Sequence, residues 1–393
     1  MTDLDDRPAD VLTGPVHVVG SGLLGTSLGL ALRARDLEVY LSDRSPEHLR
    51  TASGLGAGTA YDGSPVQLVV VAVPPDHVGA TVARELAASD AVVTDVGSIK
   101  GQPLEQVRAL GGDLRRYVGS HPMAGSERSG PLAGSGTLFE GRPWAVTPHP
   151  EADPRAVALV RALVALCGGV VVTLTPDEHD LAVARTSHLP HLMSSLVAGR
   201  LAGAPGDHLA LSGQGVRDVT RIAAGDPALW EQIIAANAGA VLTLLDEVQD
   251  RLTSLRAAVE AGSRDDLGVL LAEGVAGTGA IPGKHGGPVR PTAAVYVAVP
   301  DHPGELARLF ADAGEIGVNI EDIRIDHDPG RPVGQVELDV AVERADHLVA
   351  SLAERGWTLH RLGSPIAGAG RRDGRLLPPE PRSVPPCTRR LPP

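Results

Sequence analysis

Three stretches carry side chains whose types and spacing suit chemistry. In Val118-Gly119-Ser120-His121-Pro122-Met123-Ala124-Gly125-Ser126-Glu127-Arg128-Ser129-Gly130 a histidine stands in a polar, glycine-rich segment that reads as a loop. A neutral imidazole there can take a proton from an alcohol during hydride transfer. Thr186-Ser187-His188-Leu189-Pro190-His191 sets two histidines three apart on a helix-like run, hence on one face. A metal would need a third ligand at matching spacing, and Glu178-His179 does not make HExxH, so substrate binding is the better reading. Arg217-Asp218-Val219-Thr220-Arg221-Ile222-Ala223 puts two arginines four apart on a helix, with Asp218 available to hold one of them. A guanidinium fork suits a carboxylate substrate, although a solvated charged face uses the same residues.

Hydride transfer needs a carrier, and the chain has a loop that would hold one. Val16-His17-Val18-Val19 runs into Gly20-Ser21-Gly22-Leu23-Leu24-Gly25 and on into an apolar helical pattern, the strand, GxGxxG turn and helix that present backbone amides to a pyrophosphate. Gly20 permits the turn, Gly22 lets backbone approach phosphate, and Gly25 lets helix lie on strand. A second apolar run, Leu37 to Ser42, ends at Asp43. A carboxylate there accepts both adenosine ribose hydroxyls and repels a 2′-phosphate, which favours NAD over NADP. Arg44 beside it could hold such a phosphate, and a helix-capping aspartate would also suit the position.

The elements that follow must bring these groups to one edge. Gln67 to Val73 is a nearly continuous valine-rich run stopping at Pro74-Pro75, so Val73 and Pro74 would lie at the cofactor crevice, at the carboxyl ends of the strands. Ser45 to Gly56 and Asp76 to Ala88 read as helices, and Ala91 to Val96 as a buried strand followed by Gly97-Ser98-Ile99-Lys100 at the same edge. Trp144 to Thr147 and Gly169 to Thr175 read as the last strands, with a helix from Pro154 to Cys167 between them. From Pro176 the strand signals vanish, and Asp177 to Leu201, Gly206 to Gly213, Asp226 to Ala261 and Arg264 to Ala272 read as helices whose broad apolar surface suits a dimer. A Gly/Pro-rich linker precedes a β, α, β, β, α unit: Ala293 to Val299, Pro303 to Glu315, Asn319 to Asp326, Val333 to Val342 and Ala345 to Arg355.

The expected plan is thus α/β: a flexible N-terminus over 1–12, a Rossmann-type dinucleotide-binding domain over 13–175, an all-helical substrate and dimerisation domain over 176–277, a linker over 278–291, a small α+β domain over 292–365 and a disordered tail over 366–393. At 393 residues two or three domains are expected. A formal charge of -13 and 2% aromatic content argue against nucleic acid or an anionic membrane as partner. Cys167 and Cys387 make no disulfide framework, the acidic N-terminus is no signal peptide, and the longest apolar stretch, Ala156 to Leu174, is broken by Gly168-Gly169. A soluble cytoplasmic protein is the expectation.

At these residues the chain resembles the prephenate/arogenate dehydrogenase family of tyrosine biosynthesis. GSGLLGTSLGLAL, VAVPP, DVGSIK, GSHPMAGSERSG, SHLPH, RDVTRIA and DPALW occur in that family's order, and DHPGELARLF and GVNIEDI resemble a C-terminal ACT regulatory domain of ferredoxin-like fold. The resemblance implies NAD-dependent oxidative decarboxylation of prephenate to 4-hydroxyphenylpyruvate, with arogenate as the alternative substrate, giving tyrosine directly. It implies that His121 takes the C4-hydroxyl proton, that Ser98 orients this hydroxyl and the nicotinamide, that Arg221 binds a substrate carboxylate with Ser187 and His191 nearby, and that His188 and Trp230 shape the pocket. It also implies a homodimer, and tyrosine as effector at an ACT–ACT interface near Asp301 to Gly304 and Asn319-Ile320. The family's aromatic residue before the RDVTRIA motif is Val216 here, which leaves side-chain selectivity open. A non-catalytic NAD and amino-acid sensor is the contrasting class; Ser98, His121, Arg221 and the intact glycine loop together favour the enzyme.

Overall fold

A computed structural model of the chain describes residues 11–125, 128–281, 291–327 and 333–361. Two compact units divide at Ile281 and Pro282. Most of the expected flexible N-terminus, the centre of the expected linker and the expected disordered tail lie outside the described residues. Leu12, assigned to the flexible N-terminus, is 1% exposed and part of the core, because the Gln67 side chain holds the backbone of Val11, Thr13 and Gly14.

In the first unit β1 (Val16–Val19), β2 (Val39–Ser42), β3 (Thr59–Ala60), β4 (Leu68–Val71) and β5 (Val92–Asp95) form a parallel sheet in the order β3-β2-β1-β4-β5. Every residue of β1 and β4 is buried, as expected where helices cover both faces. The covering helices are α1 (Leu23–Arg33), α2 (Pro46–Gly54), α3 (Pro75–Ala88) and α4 (Gly101–Ala109). The short β3 and α4 escape the pattern reading: β3 has two exposed residues, and α4 opens Gly-Gln-Pro.

The segment around His121 is not the expected loop. Gly119–Pro122 is a strand, β6, joined to β5 through a parallel bridge between Val93 and Tyr117 and paired antiparallel with β7 (Pro143–Thr147). Glycine and proline are poor strand formers, so tertiary bonding makes this strand: Ser120 Oγ donates to the Asp95 carbonyl at 2.8 Å and lies 3.2 Å from Thr94 Oγ1. α5 (Pro154–Leu166) and β8 (Val170–Thr173), parallel to β7, complete the sheet.

The helical part departs from the expected long helices at two places. Asp177 to Leu201 is α6 (Pro176–Val183), a π turn over Ala184–His188 and α7 (Leu189–Leu201). Pro190 has no N–H and its ring would meet the carbonyl four residues back, so the widened turn relieves that clash. After α8 (Gly206–Leu209), shorter than expected, come α9 (Gln214–Thr220) and a 3₁₀ turn, Arg221–Ala224. Asp226 to Ala261 breaks at Asn237 into α10 (Pro227–Ala236) and α11 (Ala238–Ala261), bent by 93°. The last helix, α12 (Arg264–Gly279), runs past its expected end at Ala272 into the expected linker. Among the described residues no single helix is long and apolar enough to cross a membrane.

The second unit contains β9 (Thr292–Pro300), α13 (Glu305–Ile316), β10 (Ile320–His327), β11 (Val333–Ala341), α14 (Val342–Glu354) and β12 (Thr358–Arg361). The strands are antiparallel in the order β10-β11-β9-β12, a ferredoxin-like β-α-β-β-α-β unit with one strand more than the sequence pattern shows. Val295, Val297, Leu309, Leu338 and Leu348 form its core.

Candidate active site

The nucleotide loop joins β1 to α1. Gly20 has φ +105°, and a Cβ there would lie 2.3 Å from the Ala72 carbonyl oxygen; one on Gly25 would lie 1.8 Å from the Gly20 carbonyl oxygen. Both sites therefore exclude a side chain on backbone grounds. Gly22 differs, because a Cβ there would meet nothing within 4 Å. That open side, beside a helix N-terminus that no side chain caps, is where a pyrophosphate would sit against the Leu23 and Leu24 end of α1. The buried Ser21 hydroxyl has no partner. Val73 borders Gly20, and Pro74 is the N-cap of α3.

Asp43 does more than the sequence suggests. Its Oδ2 accepts from Ser21 N at 2.6 Å and its Oδ1 from Ser45 N at 2.7 Å. The carboxylate thus fixes the glycine loop, and its remaining lone pairs are what a ribose could use.

A hydrogen-bonded chain of titratable groups is assembled where β6 runs past the end of β5. Asp180 on α6 accepts from the backbone of Lys100 at 2.9 Å and of Gly101 at 2.8 Å. Its Oδ1 also lies 2.8 Å from His179 Nδ1, and His179 Nε2 lies 2.9 Å from His121 Nδ1. A carboxylate only accepts, so His179 carries its proton on Nδ1 and presents Nε2 as acceptor; His121 then donates from Nδ1, and its Nε2 is left basic. Burial, followed by the charges of His179, Lys100 and His188, holds the His121 imidazole well below its usual range. It is therefore neutral at neutral pH.

A second arm of the same network reaches His188 and, through Trp230, His191. Asn237, at the bend between α10 and α11, donates to the Asp180 carbonyl at 2.8 Å and lies 3.2 Å from His188 Nδ1. With its amide donating, His188 carries its proton on Nε2. Burial pushes His188 down to about 4, with Asp180 opposing the shift. His191 stacks on Trp230 with ring centroids 3.6 Å apart and planes 9° apart, and Trp230 meets His188 edge-on at 6.2 Å. Gly225 makes this stack possible, since a Cβ there would fall 2.6 Å from Trp230 Nε1 and 3.2 Å from His191 Cε1.

The structure thus brings His121, His188, His191 and Trp230 into one contact network, with Ser187 half-buried beside His188 in the π turn. Ser98 is half-buried in the loop between β5 and α4, two residues before Lys100. Arg221 is exposed and opens the 3₁₀ turn that lies against α7, so the two arginines do not share a regular helix. Asp218, expected to hold one of them, accepts from Gln214 at 2.8 Å. Among the described residues no group of three His, Cys, Asp or Glu could hold a metal ion. A cleft of about 850 Å³ lined by Val11, Tyr61, Gln67 and Arg155 holds none of these groups. The residues that sequence reasoning missed are Lys100, His179, Asp180 and Asn237; the adjacent His-Asp pair was the available signal for two of them.

Comparison with known proteins decides the family. Residues 28–173 match the family model "Prephenate dehydrogenase, nucleotide-binding domain", and residues 175–273 match "Prephenate dehydrogenase, dimerization domain". The "Probable prephenate dehydrogenase NovF" of Streptomyces niveus is 38% identical over 86% of this chain and 98% of its own. The chain belongs to the prephenate dehydrogenase family. It is an oxidoreductase, and its first domain is the family's nucleotide-binding domain. Among solved structures it is similar to the arogenate dehydrogenase of Synechocystis, at 28% identity and TM-score 0.59 over 67% of this chain and 98% of that one. It is also similar to the prephenate dehydrogenase of A. aeolicus in complex with hydroxyphenyl propionate and NAD+, at 27% identity and TM-score 0.61 over 67% and 97%.

The two kinds of glycine in the loop separate fold from binding. Gly22→Ala is expected to unfold at the parent temperature but bind NAD more weakly, measured by calorimetric titration. Gly25→Ala, which places a methyl group on backbone, is expected to lower Tm by about 3 °C or more.

Proposed function

We propose that this enzyme carries out the NAD-dependent oxidative decarboxylation of prephenate to 4-hydroxyphenylpyruvate. The observation that supports this reading is the Asp180–His179–His121 chain, which leaves one imidazole nitrogen of His121 unprotonated and is joined through Asn237 to His188 and its neighbour Trp230, on which His191 stacks. The loop Gly20, Ser21, Gly22, Leu23, Leu24 and Gly25, with Asp43, Val73 and Pro74, holds NAD, which when bound supplies the hydride acceptor.

His121 takes the proton of the C4 hydroxyl as the C4–H bond yields its hydride. Ser98 orients that hydroxyl. The bond to the ring carboxylate breaks, its electron pair enters the ring and carbon dioxide leaves; His121 then returns its proton to the phenolate oxygen. Aromaticity drives the step. Arg221 binds a substrate carboxylate in a protein whose net charge would otherwise repel a dianion, with Ser187 and His191 beside it, while His188 and Trp230 shape the pocket. A neutral His188 donates from Nε2 without adding charge.

Arogenate, which has an ammonium where prephenate has a side-chain keto group, is the second reading. Its support is the similarity to the Synechocystis arogenate dehydrogenase and the Val216 departure. The working form is a homodimer: α11 and α12 leave Leu242, Leu252, Val259, Val269, Leu271 and Val275 exposed, and the matched family model is a dimerisation domain. The ferredoxin-like second unit is an ACT domain that takes tyrosine near Asp301, Gly304, Asn319 and Ile320; Gly304, at φ +95°, opens α13 without a side-chain cap, which leaves amides for a carboxylate.

His121→Asn is expected to lower kcat by roughly two to four orders of magnitude, and near-parent turnover would remove the proton-acceptor role. Because the histidine's pKa is depressed, it stays unprotonated as pH falls through 6.5, so the acid limb of kcat/KM is expected well below pH 6.5. A limb at or above 6.5 would contradict this. Arg221→Ala is expected chiefly to raise KM, whereas a change in Tm alone would refute the carboxylate contact. A chain ending at Ile281 is expected to keep turnover and lose inhibition by tyrosine; inhibition that survives would place the effector elsewhere.

A further inference from the structure

Lys100 is a buried cation to which the reaction above gives no part. It is 1% exposed and forms an ion pair with Asp95, itself 0% exposed, and its Nζ donates to the Ser120 carbonyl at 2.6 Å. Asp95 is otherwise satisfied by Tyr117 Oη at 2.7 Å and Gly97 N at 2.9 Å. Taking two charges out of water is expensive, and apolar side chains of the same volume would often serve stability as well. The location of the pair suggests a function.

Lys100 grips His121 from two sides. Its side chain holds the carbonyl of Ser120, the residue before His121, and so sets where β6 lies against β5. Its backbone N–H, with that of Gly101, holds the Asp180 carboxylate that orients His179, which in turn orients His121. One residue thus connects the strand that carries the proton acceptor with the helix that aims it.

We propose that Lys100 is a positioning residue for the proton acceptor: its ammonium ties β6 to β5 at the residue before His121 and sets a positive charge beside that strand. This rests on His121 being the proton acceptor. The titratable groups that act on that imidazole are His179 from α6, His188 from the π turn and Lys100 itself; Asp180 stands behind His179, and Asp95, with Tyr117, behind Lys100. Lys100, whose pKa burial lowers and the Asp95 carboxylate raises, is the ammonium of this set, and it opposes formation of a second cation at His121. The position of the strand fixes the geometry of proton transfer, and the charge adds to burial and to His179 in keeping the acceptor unprotonated.

Two variants separate the tether from the charge, assayed by NADH formation with the better of prephenate and arogenate. Lys100→Met with Asp95→Asn removes both charges and leaves no unpaired ion; with NAD binding and Tm checked, kcat is expected to fall by about 10- to 100-fold with KM for the organic substrate unchanged. Parent kcat in that folded variant would overturn the tether. Lys100→Gln keeps donors but loses the charge, and its acid limb is expected to move to higher pH. An unmoved limb would overturn the electrostatic role, since a purely structural residue would change Tm and leave the limb in place. His121→Asn, measured alongside, distinguishes the failures: an active His121 variant removes the underlying reading, while an inactive one beside parent-like Lys100 variants removes only this proposal.

Discussion

Asp180 is the constraint on which the site depends. Its two carboxylate oxygens accept the backbone N–H groups of Lys100 and Gly101, at the start of α4, while the same residue orients His179 toward His121. The sheet carries His121 and the helical part carries the groups that orient it, so the network needs both. Asn237 adds a third attachment by donating to the Asp180 carbonyl and reaching His188. Charge-assisted bonds of this kind are shorter and stronger than neutral ones, which suits a junction that must hold through turnover.

The electrostatics of the pocket follow from that junction. His121, His188 and His191 are all held below the usual histidine range, chiefly by burial. A cluster of imidazoles that stays neutral can surround a proton acceptor without competing for its proton, while on the proposed mechanism positive charge for the substrate comes from Arg221, exposed at the start of the 3₁₀ turn. Separating the two tasks lets one site bind an anion and still keep its base unprotonated.

Much of this is legible in the sequence. The strand, glycine turn and helix were readable because backbone geometry admits only glycine at Gly20 and Gly25, and the buried parallel strands because burial on both faces leaves continuous valine runs. Four of the site's supporting groups were not. Lys100, His179, Asp180 and Asn237 act across separations of 49 to 80 residues, and no local period records such a bond. Strand β6 was hidden for a related reason, since Gly119, His121 and Pro122 have no strand preference and the strand is held through Ser120, which bonds Asp95 and Lys100. The breaks at the π turn and at Asn237 were hidden because the residues on both sides of each break are helical.

The most direct test of the account is the stoichiometry of carbon dioxide and NADH formed from prephenate and NAD by the intact chain. The account predicts equal amounts of the two, with 4-hydroxyphenylpyruvate as the organic product. NADH formed without carbon dioxide, or NAD bound with neither product formed from prephenate or arogenate, would contradict it.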